Sequence, residues 1–136
     1  MISGTTVYGT LPEPGDIVWC YFPQVKGKPG PKPRPALVVK VAEEDNAVMV
    51  VYGTSQKTDK IFDTEFVLRC DDAGFAISGL AYDTKFDMST LVTLPYTNEW
   101  FDIAPMKGGQ LPISPVMGTL HPTYILALKK ASKKGS

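Results

Sequence analysis

The residues best equipped for chemistry are grouped by charge. From Gln24 to Val41 the chain carries Lys26, Lys28, Lys32, Arg34 and Lys40 and no acid. Set in a Pro- and Gly-rich stretch between two apolar runs, these cations could collect an anion such as phosphate. The same lysines also suit a plain solvated loop, and charge alone does not separate the two. His121, the one imidazole, is a general base by type. Between Leu120 and Pro122, at the start of a helical pattern, it reads instead as a capping or packing residue. Asp83 and Asp87 share a strand face with Lys85. Nothing suggests the raised pKa that acid–base work needs, so a solvated face is expected there. Trp19 and Phe22 carry rings that stack on bases, yet in an apolar strand run they read as core. One His and two separated Cys make no recognisable zinc pattern, so neither metal nor cofactor is expected.

The elements that must position these residues are short. Twelve Gly and twelve Pro are spread without a period through 136 residues, which argues for many turns and against long helices. With 43% apolar and 21% charged residues, a wholly disordered chain is excluded. The length is that of one domain, expected over 1–136 with its core at about 14–128. Pro14-Gly15-Asp16 is a turn that launches a first strand, 17–22, stopped by Pro23. Pro29, Pro31 and Pro33 then forbid a helix or an interior strand and leave a stiff, exposed loop. Strands at 35–42 and 47–52 flank Glu43-Glu44-Asp45-Asn46 as a hairpin. Phe66, Leu68 and Cys70 alternate in a half-buried strand, and a longer strand starts near Lys85 and runs on through Leu94. From 98 to 118 loop and short strand are expected, anchored by Trp100 and Phe101. Pro122 then opens a helix in which Tyr124, Ile125, Leu128 and Ala131 fall at helical spacing. Lys129, Lys130, Lys133 and Lys134 suit the negative end of its dipole. The picture is mainly β, a small antiparallel barrel or sandwich closed by one terminal helix.

Charge is segregated along this framework. From Ala42 to Asp102 twelve acids face four cations, whereas five lysines and no acid follow Asp102; the net charge is zero. No global field draws the chain to nucleic acid or membrane. The longest apolar runs hold six residues, far short of the roughly twenty a spanning helix needs. Met1-Ile2-Ser3-Gly4 lacks a signal-peptide pattern. The expectations are no membrane, a cytoplasmic location, and Cys20 and Cys70 as a reduced, buried pair.

Two motif blocks carry a resemblance. Gly15-Asp16-Ile17-Val18-Trp19, Phe22-Pro23, Gly27, and Arg34-Pro35-Ala36-Leu37-Val38-Val39 together resemble the MazF/PemK family of toxin–antitoxin ribonuclease toxins, with Gly27 and Arg34 at that family's usual interval. Val51-Tyr52-Gly53-Thr54-Ser55-Gln56 resembles its strand end carrying Thr, and Ser78-Gly79-Leu80 with Asp83 is a weaker third match. The resemblance covers about residues 14 to 95. It implies an SH3-like antiparallel β-barrel with a C-terminal helix, forming one MazF/PemK-like domain. It also implies metal-independent endoribonuclease activity on single-stranded RNA, a homodimer, and a cognate antitoxin as inhibitor. Arg34 and Thr54 would then be catalytic, and Lys28, Lys32, Ser55 and Gln56 would bind RNA.

The reaction implied is attack of the neighbouring 2′-hydroxyl on phosphorus. Negative charge builds on the non-bridging oxygens, so a fixed cation and a hydrogen-bond donor matter more than a protein nucleophile. Arg suits the first role because it stays ionised and presents paired donors. A β-branched Thr, restricted in its rotamers, suits the second. The chain departs from the family pattern at Pro29-Gly30, where Glu-Gln is usual, at Lys32-Pro33, and at Tyr21, where an acid is common. These departures motivate an alternative, a non-catalytic nucleic-acid-binding or protein-interaction module on the same barrel.

Overall fold

The structure is a computed structural model and describes residues 7–104 and 114–135. Met1-Ile2-Ser3-Gly4 of the expected N-terminal arm, Lys107 and Ser136 lie outside the described residues.

Pro14-Gly15 forms the expected turn. Gly15 sits at φ +97, and the Asp16 N–H closes onto Glu13 O at 2.9 Å, with the Asp16 carboxylate accepting the Glu13 N–H. Pro at the second turn position and a positive-φ Gly at the third are what a type II turn requires. It feeds β1 (Asp16–Cys20), which ends two residues before the apolar run does. The chain is drawn off after Cys20 because the Pro-rich loop folds back, with the Gly30 N–H donating to Tyr21 O. A side chain at Gly30 would collide with Phe22 O, so the loop is pinned against the end of β1.

The hairpin follows as β2 (Arg34–Ala42) and β3 (Ala47–Thr54), joined by a short 3-10 turn that ends in left-handed Asn46. Here β3 runs beyond the expected stop at Gly53. A Cβ on Gly53 would lie 2.6 Å from the Phe86 ring and 2.7 Å from Pro35 O. Glycine is therefore what lets strand pairing continue through this crowded point, rather than what ends it. The sheet is completed by β4 (Glu65–Leu68), β5 (Thr84–Pro95) and β6 (Val116–Thr119). All pairings are antiparallel in the order β4-β5-β3-β2-β1-β6. The chain is mainly β, as expected: a curled half-barrel of six strands with one helix, α1 (Ile125–Gly135), at its C-terminal end. No helix among the described residues is long and apolar enough to cross a membrane.

Strand alternation divides the apolar residues between two faces. Ile17, Leu37, Val51, Phe66, Leu68 and Phe86 pack on one side with Tyr124 and Ala131, which dock the helical segment. Val18, Cys20, Ala36, Val38, Val48 and Val50 pack on the other with Leu94, Tyr96, Trp100 and Phe101. Trp100 and Phe101 are the anchors the sequence marks. The cysteines are not a buried pair: Cys20 is in the core, but Cys70 falls after β4 and is exposed. The pattern Phe66, Leu68, Cys70 overshoots because β4 ends at Leu68 in the Arg69–Asp72 turn, where the Asp72 N–H donates to Arg69 O.

Candidate active site

Arg34 opens β2 and Thr54 closes β3. The register pairs Ala36 with Tyr52, Leu37 with Val51 and Val38 with Val50. Arg34 and Thr54 lie two residues beyond the pair of Ala36 with Tyr52, at the same end of the two strands. Close approach of the Pro35 carbonyl to Gly53 fits this register. Arg34 pairs with Cys20 of β1, and Thr54 with Lys85 of β5.

Both line one cleft of about 350 Å³. That is at the lower end of the roughly 300–1,000 Å³ typical of ligand sites. Its walls are mostly apolar, with Trp19, Pro35, Leu80 and Met117 among them, and the hydroxyls of Ser55 and Thr84 join Arg34 and Thr54 as polar groups. Gly79 and Leu80 belong to the weak third motif, so three motif blocks meet at this cleft. Gly79, at φ +74, lies so close to the Met117 carbonyl that no side chain could stand there.

Among the described residues no hydrogen bond or ion pair engages the half-buried Arg34 guanidinium. Thr54 Oγ1 accepts the Gln56 N–H at 3.0 Å, which fixes the oxygen and leaves its own proton free to donate. A cation and a hydroxyl donor thus face a common space. They can stabilise an anion there.

The other expected binding residues are less tightly grouped. Ser55 lines the cleft, whereas exposed Gln56 contributes its backbone to the Thr54 turn. Lys32 lines a second, shallower cleft of about 240 Å³ that shares Arg34 with the first and runs beside Phe22, Tyr52 and Thr90. Lys28 is exposed in the turn at Val25 and lines neither cleft. His121 lines neither cleft and acts as a cap: its ring accepts the Thr123 N–H at the start of the turn that leads into α1. Phe22 packs on the Tyr52 ring with centroids 5.3 Å apart. Trp19 is not core; it is half-buried and lines the cleft.

The strand face at Lys85 is not solvated either. Lys85 is only 5% exposed and bridges to Glu65 at 3.0 Å. Asp83 accepts the Cys70 N–H at 2.7 Å, and this bond, with the Cys70 thiol and Arg69, holds its carboxyl below the usual range. Burial acts to raise Asp87, but hydrogen bonds from Ser89 prevail and lower it. Neither carboxyl is tuned to carry a proton near neutrality. Tyr21, where the family commonly has an acid, donates its phenol to Asp102 at 2.9 Å, a bond that raises its pKa. Tyr82, 70% exposed at the cleft, is the contributor that sequence reasoning overlooks; only its place between Leu80 and the Asp83 of the third motif marked it.

A family model for PemK-like, MazF-like toxins of type II toxin–antitoxin systems matches residues 13–102. The chain belongs to that family. The match spans the strands that carry Arg34 and Thr54 and the segment at Gly79. Among solved structures, the fold is similar to an endoribonuclease in complex with its cognate antitoxin from a mycobacterial species, at TM-score 0.57 and 16% identity, covering 92% of this chain and 94% of that one. A second mycobacterial endoribonuclease is similar at TM-score 0.56 and 15% identity, covering 91% and 89%. No curated protein matches.

Proposed function

We propose that this toxin-family protein is an endoribonuclease that cleaves single-stranded RNA without a metal ion. The observation that supports the reading is that Arg34 and Thr54, at the same end of β2 and β3, line one cleft. The 2′-oxygen bonds to phosphorus and gives its proton to water. The bond from phosphorus to the 5′-oxygen breaks, and that oxygen leaves protonated, giving a cyclic phosphate and a 5′-hydroxyl end. Arg34 holds the non-bridging oxygens as charge builds on them, and the Thr54 hydroxyl donates to the same group. Ser55 lies beside them, Lys32 extends the cationic track past Arg34, and Lys28 and Gln56 stand farther out on the RNA path. Membership of a toxin–antitoxin family supports a cognate antitoxin as inhibitor, as does the antitoxin complex of the similar mycobacterial endoribonuclease. A homodimer acting in the cytoplasm completes the reading.

One observation favours the non-catalytic alternative: no imidazole or carboxylate lines the cleft among the described residues, so no protein base is at hand. The test is incubation of the purified protein with long unstructured RNA in chelator. Fragments with 5′-hydroxyl ends are expected. Binding without cleavage, from a folded sample across varied sequences, would select the alternative.

A further inference from the structure

The chain leaves the Thr54 end of the cleft through a strained turn. Gln56 donates back to the Thr54 hydroxyl, and Lys57 then sits at φ +53, a left-handed conformation that a side chain adopts only at a cost. Lys60 closes the turn with its N–H on Lys57 O. Such conformations persist where the surroundings over-determine them.

Here two cations do so, Lys85 on β5 and Arg69 just past the end of β4. Arg69 Nη2 donates to Thr58 O at 2.9 Å, and Lys85 Nζ donates to Lys60 O at 2.9 Å. Each cation is answered by a carboxylate, Asp83 at 3.4 Å for Arg69 and Glu65 at 3.0 Å for Lys85. Glu65 Oε1 also accepts the Phe62 N–H at 2.9 Å, so the loop is gripped from Thr58 to Phe62. Lys85 is besides the register partner of Thr54 on β5. Its pair with Glu65 is nearly sealed from water, with side chains 6% and 10% exposed. Burying such a pair costs desolvation that its attraction barely repays, and an apolar pair of equal size would hold the fold as well. Conformational specificity is the use that explains keeping it.

We propose that Lys85 and Arg69 are positioning residues for catalysis. Their two cation-to-carbonyl bonds set the 55–64 loop, and through the Gln56 N–H they aim the Thr54 hydroxyl into the cleft. This rests on the reading of Thr54 as a catalytic donor.

The test measures kcat and KM for a single-stranded RNA oligonucleotide in the full-length protein. The variants are Lys85→Met with Glu65→Gln, which strands no buried charge, and Arg69→Gln at a partly exposed site that keeps the fold. Each is also combined with Thr54→Val. A clamp that aims Thr54 predicts a fall in kcat of about tenfold or more with KM within about twofold. It also predicts that Thr54→Val costs far less in the clamp variants than in the parent, since coupled groups are not additive. Lys57→Gly, which removes the strain the clamp restrains, should restore part of the lost kcat. Unchanged kcat in folded clamp variants, or an undiminished Thr54→Val penalty, overturns the proposal while leaving the ribonuclease reading intact. A parent protein that cleaves no RNA overturns both.

Discussion

Arg34 is half-buried at the mouth of a cleft, and no carboxylate among the described residues answers it. Among the described residues buried Lys85 is matched by Glu65 and half-buried Arg69 by Asp83. An unanswered guanidinium costs stability unless an anion from outside completes it, which is the residue-scale reason to assign it to substrate. Titratable groups with structural roles behave differently. Burial, and then a 2.8 Å hydrogen bond to Asp72, raise the Tyr124 phenol above its ordinary value near 10. Below about pH 10 the phenol is protonated in both folded and unfolded chains, so its contribution to stability is fully present. As pH rises above 10 the unfolded chain ionises first and that contribution falls away. Tyr124→Phe should therefore lower stability by about 1 kcal/mol at neutral pH. It should also flatten, without abolishing, the alkaline fall in melting temperature, because Tyr8 and Tyr96 are raised as well.

At the scale of elements, the site depends on two strand ends meeting. Gly53 permits that meeting, since any Cβ would enter the Phe86 ring and the Pro35 carbonyl. Gly53→Ala should destabilise the fold by about 1–3 kcal/mol, the range for overpacking. It should also lower cleavage in the fraction that remains folded, because β2 and β3 must part where Arg34 and Thr54 sit; thermal melts paired with cleavage rates check both. The hairpin, the turn at Pro14-Gly15 and the terminal helix were legible from local pattern, because turn chemistry and apolar period act over a few residues. The reach of β3 through Gly53 was not. A glycine reads locally as a stop, and only the Phe86 ring brought against it by β5 shows why pairing continues. Lys85 was misread for a similar reason. Alternation puts it on the strand face of Asp87, but its burial comes from Glu65 and a loop carbonyl at Lys60, far along the chain.

Across the whole molecule, segments distant in sequence converge on one end of the sheet. Trp19 from β1, Arg34 from β2, Thr54 from β3, the Gly79–Tyr82 segment and Met117 from β6 all border the same space. That Arg34 and Thr54 border one cleft was legible because the family motifs carried it, whereas Trp19 and Tyr82 were not, since an apolar run and an exposed tyrosine carry no sign of what they border. Charge follows a similar division. The run from Gln24 to Val41 is free of acid and brings Arg34 to the cleft and Lys32 to the smaller one beside it, while Glu65, Asp72 and Asp83 of the acid-rich middle are tied into turns and clamps. The central claim is that a guanidinium and a hydroxyl act as one unit on a single phosphate. The most direct test is a double-mutant cycle on RNA cleavage with Arg34→Ala, Thr54→Val and the combined variant, each confirmed folded. Loss of a transition-state donor typically costs about a hundredfold or more. The account predicts that each single change does so and that the pair loses little beyond the worse of the two. Independent, multiplying losses, or cleavage that survives Arg34→Ala undiminished, would contradict it.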